Sequence, residues 1–350
     1  MYCAHSDTTQ LLILLQLFNL NPPAEYEWLL AVHLRLLLLN LEAMIEISKL
    51  TKSFSGQVAV DDLSCHIGPG EVLGILGPNG AGKSTTMKML TGFLAPTSGT
   101  ASILGFDIRT QTRHAQQQMG YLPEGAPSYS DMAVQGFLEF IASVRGYRGA
   151  QKRERVDRVI DLLELGDVRR QTIETLSKGF TRRVGLGQAI LHDPRVLILD
   201  EPTDGLDPNQ KQLVRQLIQD LGQDKIVIIS THILEEVSAV CNRALIISNG
   251  RLLADSTPYE LERSSRYRQA VTLQADEPLD LLALVVLPGV AGVEENPAEG
   301  SLTLLARPGE VIFPQVNALV TARGWKMKRL ELEQGRLDEV FQTLTRGESA

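Results

Sequence analysis

The sequence predicts an α/β fold built on a parallel sheet, followed by a small α+β unit, and three observations carry that expectation. The apolar run Val72 to Leu76 leads into a glycine-rich turn and then into helix-forming residues. A second apolar run, Val196 to Leu199, ends in the pair Asp200-Glu201. Past Arg266 the pattern changes to shorter strands and helices in the order βαββαβ.

Composition bounds what such a chain does. At 350 residues the polypeptide can bury a substantial core, and its length suggests two or three domains. The apolar fraction of 43% and charged fraction of 22% are those of a folded protein. A formal net charge of -8 argues against nucleic acid as the main partner, because phosphate contacts are dominated by Lys and Arg. Cys3, Cys65 and Cys241 are far apart and show no CxxC spacing, so they read as reduced, packed thiols.

Residues 1–43 are Leu-rich and interrupted by Asn21-Pro22-Pro23. Leu11 to Leu20 is too short to span a bilayer, and Leu29 to Leu41 carries His33 and Arg35. The segment lacks the basic start and small-residue cleavage site of a secretory signal. Two readings stand: Met44 is the natural start and the extension is dispensable, or the extension is an amphipathic anchor.

From Met44 a punctuated α/β pattern runs to about Glu262, with strands expected at Ile45 to Ile47, Gln57 to Ile67 and Glu71 to Leu76. The stretch Gly77-Pro78-Asn79-Gly80-Ala81-Gly82-Lys83-Ser84-Thr85 satisfies G-x-x-x-x-G-K-[ST] and sits between a strand and a helix. Glycines there let backbone N–H groups converge on phosphate oxygens, and the following helix points its N-terminus at them. Lys83 is expected to reach the β- and γ-phosphates, and the Ser84 hydroxyl to ligate Mg²⁺. Asp200 emerges at the C-terminal end of its strand, where ligands of open α/β sheets bind, and is the expected Mg²⁺ partner. Glu201 leaves the strand in the opposite direction and is placed to accept a proton from an attacking water.

Further along, the sequence carries Leu176-Ser177-Lys178-Gly179-Phe180, Asp204-Gly205-Leu206-Asp207 and Ser230-Thr231-His232, in that order. Together with the two phosphate motifs, these make residues 44 to about 262 resemble the ATP-binding cassette (ABC) ATPases. The resemblance implies a phosphate-loop nucleotide-binding domain with a helical subdomain, here about residues 126–185. It implies ATP as substrate, Mg²⁺ as cofactor and a head-to-tail dimer, formed with itself or a paralogous ATPase. In that dimer Ser177, Lys178 and Gly179 act on the partner's ATP, and Asp207 lies in the dimer loop. His232 is then the switch histidine that holds Glu201 and the water in register, and Phe54 the aromatic that stacks on adenine. Ser177 is also readable as the N-cap of a helix from Phe180 through Ala189.

Three motifs depart from the family pattern. Glu124, in Gly120-Tyr121-Leu122-Pro123-Glu124, stands where most members have a Mg²⁺-touching Gln. Lys178 replaces the first glycine of the signature, either reinforcing γ-phosphate binding or facing solvent, and Phe180 replaces its polar last residue. Asp204 replaces a Ser. These variants, with a C-terminal domain at 268–346, resemble the bacterial exporter branch, whose permeases are separate membrane proteins. Such a subunit works at the cytoplasmic face of the cell membrane, held there by its permease. The closing stretch Leu337-Asp338-Glu339-Val340-Phe341 reads as an amphipathic helix packed on its own small domain.

Overall fold

The computed structural model of the chain describes residues 44–125 and 129–346. Both readings of residues 1–43, and Cys3, lie outside them. Cys65 and Cys241 are free thiols, and burial raises the pKa of each.

The core opens with β1 (Ile45–Phe54) and β2 (Gln57–Ile67), followed by the fully buried β3 (Val72–Leu76) and helix α1 (Lys83–Leu90). Next come β4 (Ser98–Ile103), β5 (Phe106–Asp107), α2 (Thr112–Gln118) and β6 (Met119–Leu122). An α-helical stretch follows: α3 (Val134–Val144), α4 (Gly149–Leu162) and α5 (Lys178–Ile190). The chain then alternates β7 (Val196–Asp200), α6 (Pro208–Leu221), β8 (Ile226–Thr231), α7 (Leu234–Val240), β9 (Arg243–Ser248) and β10 (Arg251–Ser256), closing on α8 (Pro258–Arg263).

Two sheets result. One is antiparallel with order β2-β1-β4-β5; the other has order β10-β9-β3-β8-β7-β6 and is parallel from β9 to β6. The strands β3, β7 and β8 are buried along their whole length, which is why they read as unbroken apolar runs rather than alternating ones. One face of the large sheet and the antiparallel sheet share a core containing Ile45, Ile75, Met87 and Ile228. The other face shares a core with the helical stretch through Phe137, Leu138, Leu186 and Leu199. Burying a side chain of this kind contributes about 1.5–3 kcal/mol, so the sheet tolerates charged groups at its ends. No helix among the described residues is long and apolar enough to cross a membrane.

Beyond α8 the elements are β11 (Val271–Ala275), α9 (Leu281–Val285), β12 (Val290–Asn296), β13 (Ser301–Ala306), α10 (Phe313–Arg323), β14 (Met327–Leu332) and α11 (Leu337–Arg346). The sheet is antiparallel with order β12-β13-β11-β14, the ferredoxin-like arrangement. Helix α9 is shorter than the expected Pro278 to Leu287, because Asp280 caps it by accepting from Ala283 N at 3.1 Å.

The last helix corrects the sequence reading. Leu337 and Val340 of α11 bury against Leu76, Val237, Ala244, Ile246 and Leu261 of the core, outside the cluster that fills the small sheet. The apolar stripe was legible, but its periodicity does not say which domain receives it. Tertiary packing decides that.

Candidate nucleotide site

The site forms at one edge of the large sheet, where β3, β8, β7 and β6 all end. Neighbouring parallel strands share a direction, so their C-terminal loops converge even when they are far apart in sequence. The loops carry Gly77–Gly82, His232, Asp200-Glu201 and Glu124 respectively.

The turn after β3 is shaped by its glycines. Gly82, the N-cap of α1, has φ 105, and a Cβ there would fall 2.5 Å from the Ala59 carbonyl oxygen. The N-terminus of α1 is thus bare backbone, as anion binding requires. Lys83 is buried, and its ammonium donates to the Gly77 carbonyl at 2.7 Å and the Pro78 carbonyl at 3.2 Å. Burial pulls the Lys83 pKa below its ordinary value, while Glu201, Asp200 and Glu124 pull it back up. The ammonium therefore bonds to the loop carbonyls and feels the charge of the carboxylates from the other strands.

Asp200 is buried, and its Oδ1 accepts from Ser230 Oγ and, at 3.4 Å, from Ser84 Oγ. Its Oδ2 is buried with no protein partner. An orphaned carboxylate oxygen beside a serine hydroxyl is the hard-oxygen donor set that Mg²⁺ takes, so these residues fit the ion. Glu201 adopts φ 52, a left-handed conformation that turns it out of the strand. Both of its carboxylate oxygens lie 3.0 Å from His232 Nδ1, whose N–H donates to them. Such local strain costs on the order of 1 kcal/mol and persists where surrounding structure holds it.

Other residues found by sequence fall in three places. Phe54 is 47% exposed at the end of β1 with Lys52 Nζ 5.2 Å from its ring centroid, so its face is free of the apolar core. Gly77 to Thr85 form the loop and first turn just described. Ser177, Lys178 and Gly179 sit elsewhere, at the N-terminus of α5. Ser177 Oγ accepts from Phe180 N at 3.3 Å, as the cap reading expects. A Cβ on Gly179 would come 2.2 Å from Gln210 Oε1, so this edge lies against the start of α6. Lys178 is exposed, and Asp207 caps α6 by accepting from Gln210 N at 2.9 Å. Among the described residues no hydrogen bond joins the Ser177–Gly179 edge to the Gly77–Ser84 loop.

Sequence reasoning missed the supports behind these groups. Glu236 of α7, 1% exposed, accepts from Thr203 Oγ1 and from Thr231 Oγ1 at 2.9 Å, tying the loop after Glu201 to the strand end before His232. Arg182 of α5, also buried, reaches carbonyls of both carboxylate-bearing loops. The available signal was a charge among apolar neighbours, Arg182-Arg183 before Val184.

Known proteins share much of this sequence and fold. A family described as "ABC transporter" matches residues 60–204. A Nod factor export ATP-binding protein I from Paraburkholderia xenovorans is 36% identical over 241 residues, 69% of this chain and 79% of the relative. The probable multidrug ABC transporter ATP-binding protein YbhF of Escherichia coli is 36% identical over 225 residues, 64% of this chain. The chain spans only 39% of that longer relative. A solved ATP binding subunit of an ABC transporter is 27% identical with TM-score 0.59, covering 63% of this chain and 92% of that one. With the phosphate loop, its facing carboxylates and this breadth of likeness in hand, the chain belongs to the ATP-binding proteins of the ABC transporter family.

Proposed function

We propose that the chain hydrolyses ATP to drive export through a separate integral-membrane permease, which holds it at the cytoplasmic face of the membrane. The observation that carries this reading is the Asp200, Glu201 and His232 cluster at the strand ends facing Lys83 and Ser84. The names of the relatives, multidrug and Nod factor export proteins, support the direction of transport. No nucleic acid partner is invoked.

The chemistry follows from the positions. The amides of Gly77, Pro78, Asn79, Gly80, Ala81, Gly82 and the first turn through Thr85 surround the phosphates, and Lys83 exchanges its carbonyl partners for phosphate oxygens. Ser84, Asp200 and Glu124 hold Mg²⁺, which when bound neutralises charge on the triphosphate. Glu201 accepts the proton of the attacking water, and His232 fixes both oxygens of that carboxylate. Phe54 offers its exposed ring to adenine.

The Ser177–Gly179 edge makes no hydrogen bond to its own Gly77–Ser84 loop among the described residues, and in this reading a second copy, or a paralogous ATPase, completes the site. Ser177, Lys178 and Gly179 then face the partner's γ-phosphate from a helix N-terminus, with Asp207 beside them. Hydrolysis removes that phosphate and opens the pair. Residues 44–262 form the motor in this reading, and 268–346 form an appended domain whose last helix rests on it.

Replacing Glu201 by Gln keeps the shape and removes the base. Turnover should fall by about 10²–10⁴-fold. With ATP and Mg²⁺ the variant should weigh as a dimer by light scattering and as a monomer without nucleotide. Unchanged turnover, or a chain that stays single with ATP, would overturn the proposal.

A further inference from the structure

We propose that Arg182 is a positioning residue that locks the signature edge of α5 to both carboxylate loops of the same chain, so that the two sites of a nucleotide-bound pair are mechanically linked. This rests on the dimer reading above and extends it to a residue inside one subunit.

The geometry is specific to a forked side chain. Nη1 donates to the carbonyls of Pro123 at 2.9 Å and Glu124 at 2.6 Å. Nη2 donates to the carbonyls of Asp200 and, at 2.5 Å, Glu201. One planar group therefore spans the ends of β6 and β7, a nitrogen for each loop, from a helix belonging to the α-helical layer. Its neighbour Arg183 does something different: Nη1 donates to Leu163 O at 2.9 Å, within that same layer. Of two consecutive arginines, only Arg182 crosses to the catalytic sheet in these contacts.

Its charge is also placed with purpose. Burial disfavours the cation, and Asp200, Asp204, Glu201 and Glu124 offset part of that cost in the same neighbourhood. No carboxylate oxygen bonds to Arg182 among the described residues; the four acceptors are main-chain carbonyls. Arg182 thus holds the backbones of these carboxylate residues without occupying any carboxylate oxygen. Arg182 lies five residues beyond Ser177 on the same helix, so displacement of that edge by the partner's phosphate is delivered to Glu124 and Glu201.

Lysine retains the charge but concentrates its donors at one point and cannot fork across two loops. The test compares Arg182→Lys and Arg182→Gln with wild type in full-length protein. Nucleotide affinity, kcat, the Hill coefficient for ATP and amide exchange of residues 119–125 and 178–190 are measured. Both variants should bind ATP within about threefold of wild type, while kcat falls by about 10–100-fold. The Hill coefficient should drop toward one, and nucleotide should no longer protect the two segments together. Exchange reads the lock even in a variant too slow to assay.

Retained kcat and cooperativity in Arg182→Lys would overturn the inference. So would loss of melting temperature and kcat in parallel with cooperativity and joint protection intact, since that is only a structural role. A wild type that neither hydrolyses ATP nor pairs would instead defeat the functional proposal. A wild type that hydrolyses and pairs but shows a Hill coefficient of one would defeat this inference alone.

Discussion

The large parallel sheet and the small C-terminal sheet are both strands covered by helices, yet only the first gathers several functional-looking loops at one edge. In the core, β3, β8, β7 and β6 run the same way, so four loops meet at one end. In the small sheet every neighbour is antiparallel, so successive strand ends fall on opposite sides and no such convergence arises. Its helices cover one face around Leu284, Leu304 and Val316. On the other face Thr272 bonds Glu333, Arg336 bonds Glu333, and Tyr267 bonds Glu294. Those polar groups satisfy one another, whereas Asp200 keeps a buried oxygen without a partner. Strand direction, more than composition, separates the sheet that gathers its loops at one edge from the sheet that does not.

The largest test of that separation removes volume from the small core. Leu284→Ala should destabilise the C-terminal sheet by about 2–5 kcal/mol, seen as an early thermal transition distinct from the core's. ATP binding should persist at temperatures between the two transitions. A single shifted transition would show that α11 welds both regions into one cooperative unit and would erase the contrast.

A smaller effect sharpens the electrostatic side. His192 joins β6 to the α-helical layer; burial, and then repulsion from Arg145, bring its pKa down to about 4. Its Nε2 donates to Met119 O at 3.1 Å, while buried Nδ1 has no partner, as suits a neutral ring. The unfolded chain takes up a proton near pH 6.5 and the folded one does not until about pH 4. Stability should therefore fall by about 1–3 kcal/mol as pH drops through that window and then level off. Denaturant titrations of His192→Gln should show a flatter profile between those limits. An unchanged slope would assign the acid sensitivity to other groups.

The mildest change concerns Glu124, whose charge acts on Lys83 and, in the proposed function, adds negative charge beside the phosphates. Glu124→Gln should leave maximal turnover within about threefold and make the dependence on Mg²⁺ less steep. Superimposable Mg²⁺ titrations of the two proteins would count against a metal-facing role for that carboxylate.

How much of this could be read beforehand varies with distance along the chain. The glycine-rich turn after β3 was fully legible, because its strand, turn and helix are contiguous, although Gly77 and Gly82 also answer the close approach of Ile247 and Ala59 carbonyls from distant segments. The ferredoxin-like order was legible in the same way, from alternating short runs. Ser230 at Asp200, Thr203 and Thr231 at Glu236, and the fork of Arg182 were not. Each joins residues from about five to sixty positions apart through atoms whose only signature in sequence is a polar residue inside an apolar stretch.

By itself, then, the sequence determined that this chain folds around a parallel sheet, places a glycine-rich turn after Leu76 and carries carboxylates after Leu199. Local spacing suffices for those statements, because hydrophobic runs, glycine turns and caps act over a few residues. Only the tertiary structure decided that α11 leaves its own sheet for the core, that His232 grips both oxygens of Glu201, and that Arg182 spans two loops. Those contacts depend on strand order and on which face each helix buries, and the free energy that sets them comes from packing between segments distant in sequence.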